Sequence, residues 1–402
     1  MTALVLVGLL SFSALAVDLG LLMFRKRAAQ LAADAAALAG AQEIFRGTTS
    51  NVITAAKEAA ALNRFTDGAN GVTIRVAYPP ATGLYAGRST HLQVVVSEAR
   101  STLFARSFGT ASMAVAASAS AGIEAGASGC VYALAPTRVD TIRVEGGSRL
   151  QANCGILSDS VSTQGLYSTG QMIGSMIGAV AAGYQGTGYS PVPTTGIPAF
   201  GDPLAYLPLP TTAAACSPGF TVPADTTRTI NPGRYCGTIV VGEKATLRLN
   251  PGMYFLEGGG LDTKGMSTLS GTGVTIVRRG SGSTGMLFES KSNVFLSAPN
   301  ASTRYDVGAE PGIEGILWFS RGGAAVLNDI QSESNVKLEG VVYTPAQEVR
   351  FQGRSATGVN AASYTGIVAY NLRVEGSSVF GLASDYSSLS NGSPFKRVTL
   401  SE

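Results

Sequence analysis

Histidine is nearly absent from this chain: one residue, His91, in 402. That scarcity removes most imidazole-based catalysis and most zinc sites. Charge is also sparse, at 14% of residues against a usual ~25%. No basic cluster is interleaved with aromatics, so nucleic acid is not expected as a partner. The four cysteines, Cys130, Cys154, Cys216 and Cys236, never come at CxxC spacing, which argues against metal or redox roles. A P-loop, a G-x-S-x-G elbow, a DxDxDG calcium loop and a GGxGxDxU repeat are all missing. "EGGG" at 257–260 follows a strand pattern but opens no helix, so a dinucleotide site is not expected. No metal or cofactor is expected.

Glycine, by contrast, reaches 50 residues, about twice its usual share, without a Gly-X-Y period. These glycines must be turning the chain. Ahead of them lies an apolar run, "ALVLVGLLSFSALAVDLGLLMF" at 3–24, whose one charge is Asp18. It is long enough to span a bilayer core of ~30 Å. A central Asp costs about 2.5–3.5 kcal/mol, and the many Leu, Val, Phe and Met side chains return a few tenths each, so insertion is expected. The competing reading is a signal peptide cut after Ala14-Leu15-Ala16. No basic side chain leads the run, however, and the apolar stretch continues past that site.

"RKRAAQLAADAAALAGAQEIF" follows without proline, which predicts one helical rod over 3–45, about 65 Å long. Small residues recur at four-residue spacing: Ala32, Ala36 and Gly40, and again Ala29, Ala33, Ala37 and Ala41. Such a face admits a close neighbouring helix; the plain alternative is high alanine propensity. The expected helix assembly face is Asp18, Ala29, Ala33, Ala37 and Ala41, with Asp34 beside them.

"AVDLGLLMFRKRAAQLAADAAALAGA" at 16–41 resembles the N-terminal signature of TadE/TadG-like proteins, the Flp (tight-adherence) pilus-assembly family. The resemblance implies an envelope protein with its helix in the inner membrane or pilus core and its bulk periplasmic or extracellular. It also implies other Tad-system subunits as partners through that helix. Two features depart from the family: only Met1 and Thr2 precede the apolar run, and the Glu that major pilins use near their mature start is missing. A truncated or misassigned start is therefore expected, and processing as a true pilin is not. The positive-inside rule would put "RKR" and the domain in the cytosol; the cysteines argue for an oxidising compartment.

Residues 1–47 thus read as the helix and its Ala-rich extension, and 48–123 as a small α+β pilin-like domain. In the latter, Ser50 is expected to cap a second helix. "VTIRVAY", "HLQVVVSEA" and "ASMAVAASASAGI" alternate as strands, and "STLFARSFG" resembles an amphipathic stretch that family members carry there. His91 is expected to be solvated.

From 124 to 390 one pattern recurs: "IRVEG" at 142, "VKLEG" at 336, "VRFQG" at 349 and "LRVEG" at 372. Two apolar side chains point one way, a cation and Glu or Gln the other, and Gly permits a corner. "NPGRYCG" at 231 and "NPGMYFL" at 250 form a second repeat. Spacings of this order suit the turns of a parallel β-solenoid; the alternative is a β-sandwich. Residues 168–225 are expected to be an excursion from the coil or a linker along it, and 391–402 a tail. Of three disulfide connectivities the local one is expected, Cys130–Cys154 and Cys216–Cys236.

Polysaccharide enzymes often use β-helices and need carboxylates on adjacent turns; the candidates are Asp306, Glu310, Glu314, Asp329, Glu333 and Glu339. Asp329 and Glu333 sit in a polar loop expected to be a solvated corner, and Glu339 is explained by its repeat. Tyr235, Tyr254, Trp318 and Tyr343 are candidates for sugar stacking or for the core. The expectation is a non-enzymatic TadG-like minor subunit, tip or anchor of tight-adherence pili, with surface polysaccharide a candidate partner. Two alternatives stand: a membrane-tethered β-helix enzyme, favoured by three carboxylates on one solenoid face, and a sugar-binding adhesin, favoured by an exposed aromatic row.

Overall fold

The computed structural model describes residues 2–125, 129–303, 311–323, 326–331, 335–353, 356–357 and 362–401. Side chains are described from residue 13 onward, except at 108, 125, 356 and 357. Contacts divide the chain into two compact units: 1–124 with 205–208 and 396–402, and 125–204 with 209–395.

The first unit is built on α1 (Thr2–Phe45), uninterrupted because no proline enters it. Gly47 ends it at φ 76°, a left-handed conformation that glycine adopts without penalty; the Thr48 N–H then reaches the Glu43 carbonyl at 2.9 Å. A short 3-10 turn, Thr49–Asn51, leads into α2 (Val52–Leu62). Ser50 therefore lies inside that turn and does not cap the helix, whose N-terminus has no side-chain cap. Val52, Ala56 and Ala60 form the buried stripe of α2. They join Ala29, Ala32, Ala33, Ala36, Ala37 and Ala41 of α1 in one core. A Cβ on Gly40 would stand 2.4 Å from Leu92 Cδ1 and 3.3 Å from the Val52 carbonyl, so the closest approach of helix, helix and sheet requires glycine there.

The sheet runs β1 (Val72–Ala77), β2 (His91–Ser101), β3 (Ser112–Ala125) and then the C-terminal strand Lys396–Ser401. β1–β2 and β2–β3 are antiparallel and in register. The expected tail thus contains the fourth strand of the N-terminal sheet. Asp67 closes the α2–β1 turn, pairing with Lys57 at 2.8 Å and accepting the Ile74 N–H at 2.8 Å. His91 is buried rather than solvated. Its ring stacks on Tyr85 at 3.9 Å, and a Cβ on Gly122 would lie 2.3 Å from its Cδ2.

The second unit is a coil of short parallel strands, three to a turn. The turn Gly252–Glu257, Leu261–Thr263, Thr268–Thr272 lies in register on Val274–Arg279, Thr284–Phe288, Asn293–Ser297. Inward positions are apolar, as in the column Phe288, Ile330, Phe351, Val374, Val144. At one corner Gly353, Gly376 and Gly146 hold φ of 84°, 80° and 63°. A Cβ on Gly146 would meet the Gly376 carbonyl at 2.9 Å, so chain direction and close stacking both require the glycine.

The order of turns in space differs from their order in sequence. The stack begins at 216–230 and climbs through 233–249, 252–272, 274–297, 316–339 and 341–357 to 365–382. There the last turn lies on the first in sequence, 129–152: Ile367 faces Val131, Leu372 faces Ile142 and Phe380 faces Leu150. The stack then continues through 155–173 and 176–190 to 194–195. Residues 168–190, expected within the excursion, belong to strands and corners of the coil. Residues 196–204 and 209–215 return along it. Phe200 packs on Tyr132, Asp202 accepts from Tyr343 at 2.6 Å, the Leu204 carbonyl from Arg321 at 3.3 Å and the Pro210 carbonyl from Arg279 at 3.2 Å.

Candidate functional site

Two features of the molecule carry functional candidates: the exposed part of α1 and the outer faces of the coil. On α1, Asp18 is 4% exposed and faces the β2–β3 connection. Its Oδ1 accepts the Leu103 N–H at 2.9 Å, and its Oδ2 accepts the N–H groups of Phe104 at 2.9 Å and Ala105 at 2.7 Å. Three amide donors converging on a carboxylate give a charge-assisted clasp that fixes the start of the 3-10 turn Ala105–Phe108. Asp18 was expected on an assembly face; its carboxylate is instead occupied by the chain's own backbone. Ala29, Ala33, Ala37 and Ala41, likewise expected at an assembly face, are fully buried within their own unit. Their small size serves α2 and the sheet. Asp34 is half-buried and accepts from Gln30 at 2.8 Å.

On the coil, the repeats gather into a ladder. Asp329, Arg350, Arg373, Arg143 and Tyr167 stand in register on successive turns. Asp329, 2% exposed, accepts from Arg350 at 3.0 Å and Gln352 at 2.9 Å. Arg373 pairs with Glu348 at 3.3 Å and Glu375 at 3.4 Å. Arg143 pairs with Asp140 and, at 2.5 Å, with Glu145, and lies over the Tyr167 ring at 4.9 Å. The hydrogen bond from Arg143 holds the Glu145 carboxyl below its ordinary value. Three of the four repeats thus stack directly. "VKLEG" does not join them: Val336 to Glu339 pair with Val294 to Ser297 on another face.

Among the six carboxylates singled out, Asp306, Glu310 and Glu333 lie outside the described residues. Asp329 belongs to the strand Leu327–Ile330, not to a solvated corner; its neighbours in the ladder cover it. Glu314 accepts the Ser390 N–H at 2.5 Å, and Glu339 sits 3.5 Å from Lys337. Among the described residues no group of three His, Cys, Asp or Glu could hold a metal ion.

The aromatic candidates are largely core. Tyr254, Trp318 and Tyr343 are at most 1% exposed, so they cannot offer faces to sugars; Tyr235 is half-buried. The "NPGxY" repeat has a mechanical reading. Tyr235 and Tyr254 each donate to the carbonyl of the Asn four residues back, Asn231 and Asn250, at 2.7 and 2.6 Å. Asn250 Nδ2 donates to Asn231 Oδ1 at 2.7 Å on the neighbouring turn. The disulfides pair locally, Cys130–Cys154 and Cys216–Cys236, each joining consecutive turns.

Sequence reasoning missed the clasp and the fastening of the return segment. The clasp had one signal: adjacent bulky apolar residues, Leu103 and Phe104, in a polar connection. The Asp202–Tyr343 pair had none, since its members lie far apart in the chain.

Residues 1–43 match the model of the family described as "Putative Flp pilus-assembly TadE/G-like". The matched segment coincides with α1. No curated protein and no solved structure matches the chain. Among the described residues no helix is long and apolar enough to cross a membrane; the side chains of 3–12, half of the apolar run, lie outside them.

Proposed function

We propose that this protein is a non-enzymatic component of tight-adherence pili, held in the cell envelope by the N-terminal part of α1, with its coil on the outer side of the inner membrane. The observation that carries the reading is the match of residues 1–43 to the pilus-assembly family. The coil supports it: its conspicuous side chains are used internally, the ladder arginines in ion pairs, Trp318 and Tyr343 in the core and the tyrosines of the "NPGxY" repeat at corners. In this reading the coil is a rigid outward module, and the protein is a TadG-like minor subunit, tip or anchor. Other Tad-system subunits meet α1 on surface that its own unit leaves uncovered. Shearing cells that carry a C-terminally tagged copy tests this. Recovery of the tag with the filaments makes it a subunit or tip. Retention in the inner membrane with the tag open to external protease makes it an anchor, and a tag that no external protease reaches overturns the outward placement.

One observation favours a second reading, a polysaccharide-processing enzyme. Asp329, Glu348, Glu375 and Glu145 gather with three arginines on one face of the coil. Each of these carboxylates already accepts from an arginine or an amide of the ladder, which leaves none poised as a free base. Chain shortening of an acidic polysaccharide by the purified protein, abolished by Arg350→Ala, would establish that reading instead.

A further inference from the structure

From residue 13 to 27, α1 is exposed except at Ala14, Asp18, Leu22 and Arg25, a single stripe. The remainder is apolar on its other sides: Leu15, Val17, Leu19, Leu21, Met23 and Phe24 are each 48–67% exposed. A helix apolar all round belongs in protein or lipid, not water. Beside it, pinned at the level of Asp18, the connection bearing Leu103 and Phe104 exposes 54% and 46% of those side chains. A turn entering lipid must have its backbone donors satisfied from within the chain. The Asp18 carboxylate does that for three consecutive N–H groups, and those donors in turn offset the cost of its charge. Arg25 lies seven residues further along, about 10 Å by helical rise, followed by the exposed Lys26 and Arg27; the exposed Arg106 follows the clasped residues 103–105. Among the described residues Arg25 has no ion-pair or hydrogen-bond partner. It lines a cavity of about 280 Å³ with Asp18, Leu21, Leu22, Arg100 and Leu103. In that cavity Arg100 is held by Glu98 at 3.2 Å and Asp18 by its amides, leaving Arg25 as the uncommitted charge.

We propose that the clasp between Asp18 and residues 103–105 is a membrane seat. Leu103 and Phe104 enter the outer leaflet beside α1, while Arg25, Lys26, Arg27 and Arg106 ring it at the level of anionic phospholipid headgroups. The occupant of the surface around residues 103 and 104 is lipid: the apolar zone there continues the apolar run of α1, and cations border it where headgroup phosphates would lie. The proposal rests on the membrane-anchor reading above and assigns the loop a role that the anchor alone does not require.

Site-directed spin labels test it in the full-length chain. All described cysteines are in disulfides, so labels go only to introduced residues: Leu19→Cys, Leu103→Cys, Phe104→Cys and, as a water-side control, Leu84→Cys. The vesicles are phosphatidylcholine with or without phosphatidylglycerol. The expected result is lipid-like oxygen accessibility at 19, 103 and 104, and aqueous accessibility at 84. Adding phosphatidylglycerol should deepen positions 103 and 104, and Arg25→Gln with Arg106→Gln should abolish that lipid dependence. Asp18→Ala should release 103 and 104 to water while 19 remains in lipid. Position 19 in lipid with 103 and 104 in water overturns the seat and leaves the anchor standing. All three in water overturns the anchor reading itself. Depth indifferent to phosphatidylglycerol overturns the headgroup ring.

Discussion

His91 is the residue whose environment makes the clearest solution prediction. Burial pushes its pKa below the ordinary value, opposed by Glu124 at 3.8 Å and assisted by Arg88. The folded state therefore resists protonation that the unfolded state accepts at about 6.5. Between the depressed folded value and 6.5 the unfolded chain binds more protons, so stability of the first unit rises with pH across that window and levels off above it. A proton NMR titration of this single imidazole should give a midpoint below 6.5, and His91→Phe should flatten the pH dependence of unfolding in that range. Gly40 makes a steric prediction. Gly40→Ala drives a methyl toward Leu92 and the Val52 carbonyl, and should cost about 1–3 kcal/mol by overpacking, read as a lower denaturant midpoint. The alanines around it were legible as a small-residue face. Their partner was not, because small residues favour any close neighbour and sequence does not say whose.

At the scale of elements, the disulfides and corners decide how the coil ends. Cys216 opens the terminal strand Cys216–Pro218, whose described pairing is with Gly233–Cys236 alone. A terminal strand frays when nothing lies beyond it. The Cys216–Cys236 bridge closes a loop of 20 residues, for which the chain-entropy model gives about 3 kcal/mol. Cys216→Ser with Cys236→Ser should therefore speed amide exchange at 216–230 before exchange elsewhere in the coil changes; uniform acceleration would show that the bridge holds more than the end. The rung unit was legible in the sequence, since alternation and a corner glycine are local patterns. The face that "VKLEG" joins was not legible, because the same five residues satisfy any face whose neighbours are apolar inside and polar outside.

Over the whole molecule, the stacking of residues 365–382 on 129–152 makes the coil one structure assembled from two stretches of chain. Leu372 is fully buried against Ile142. Leu372→Ala should cost about 2–5 kcal/mol as a buried truncation and should deprotect amides of 142–152, more than 200 residues upstream, together with those of 365–374. Were exchange at 142–152 to stay unchanged, the two stretches would be energetically independent.

What the sequence determined by itself is what short-range pattern can encode. That comprises one long helix without a breaker, a period-2 rung with a glycine corner, two local cysteine pairs and a pilus-assembly signature in the first 43 residues. Tertiary structure alone decided what each pattern meets. It turned Asp18 onto the chain's own amides, buried His91 and three of the four aromatics, put residues 396–401 into the N-terminal sheet and laid the last turn of the coil upon its first. The physical reason is that a parallel strand edge accepts any rung of matching pattern, so register and order are settled by which edges the folded chain brings together and not by the residues of either rung.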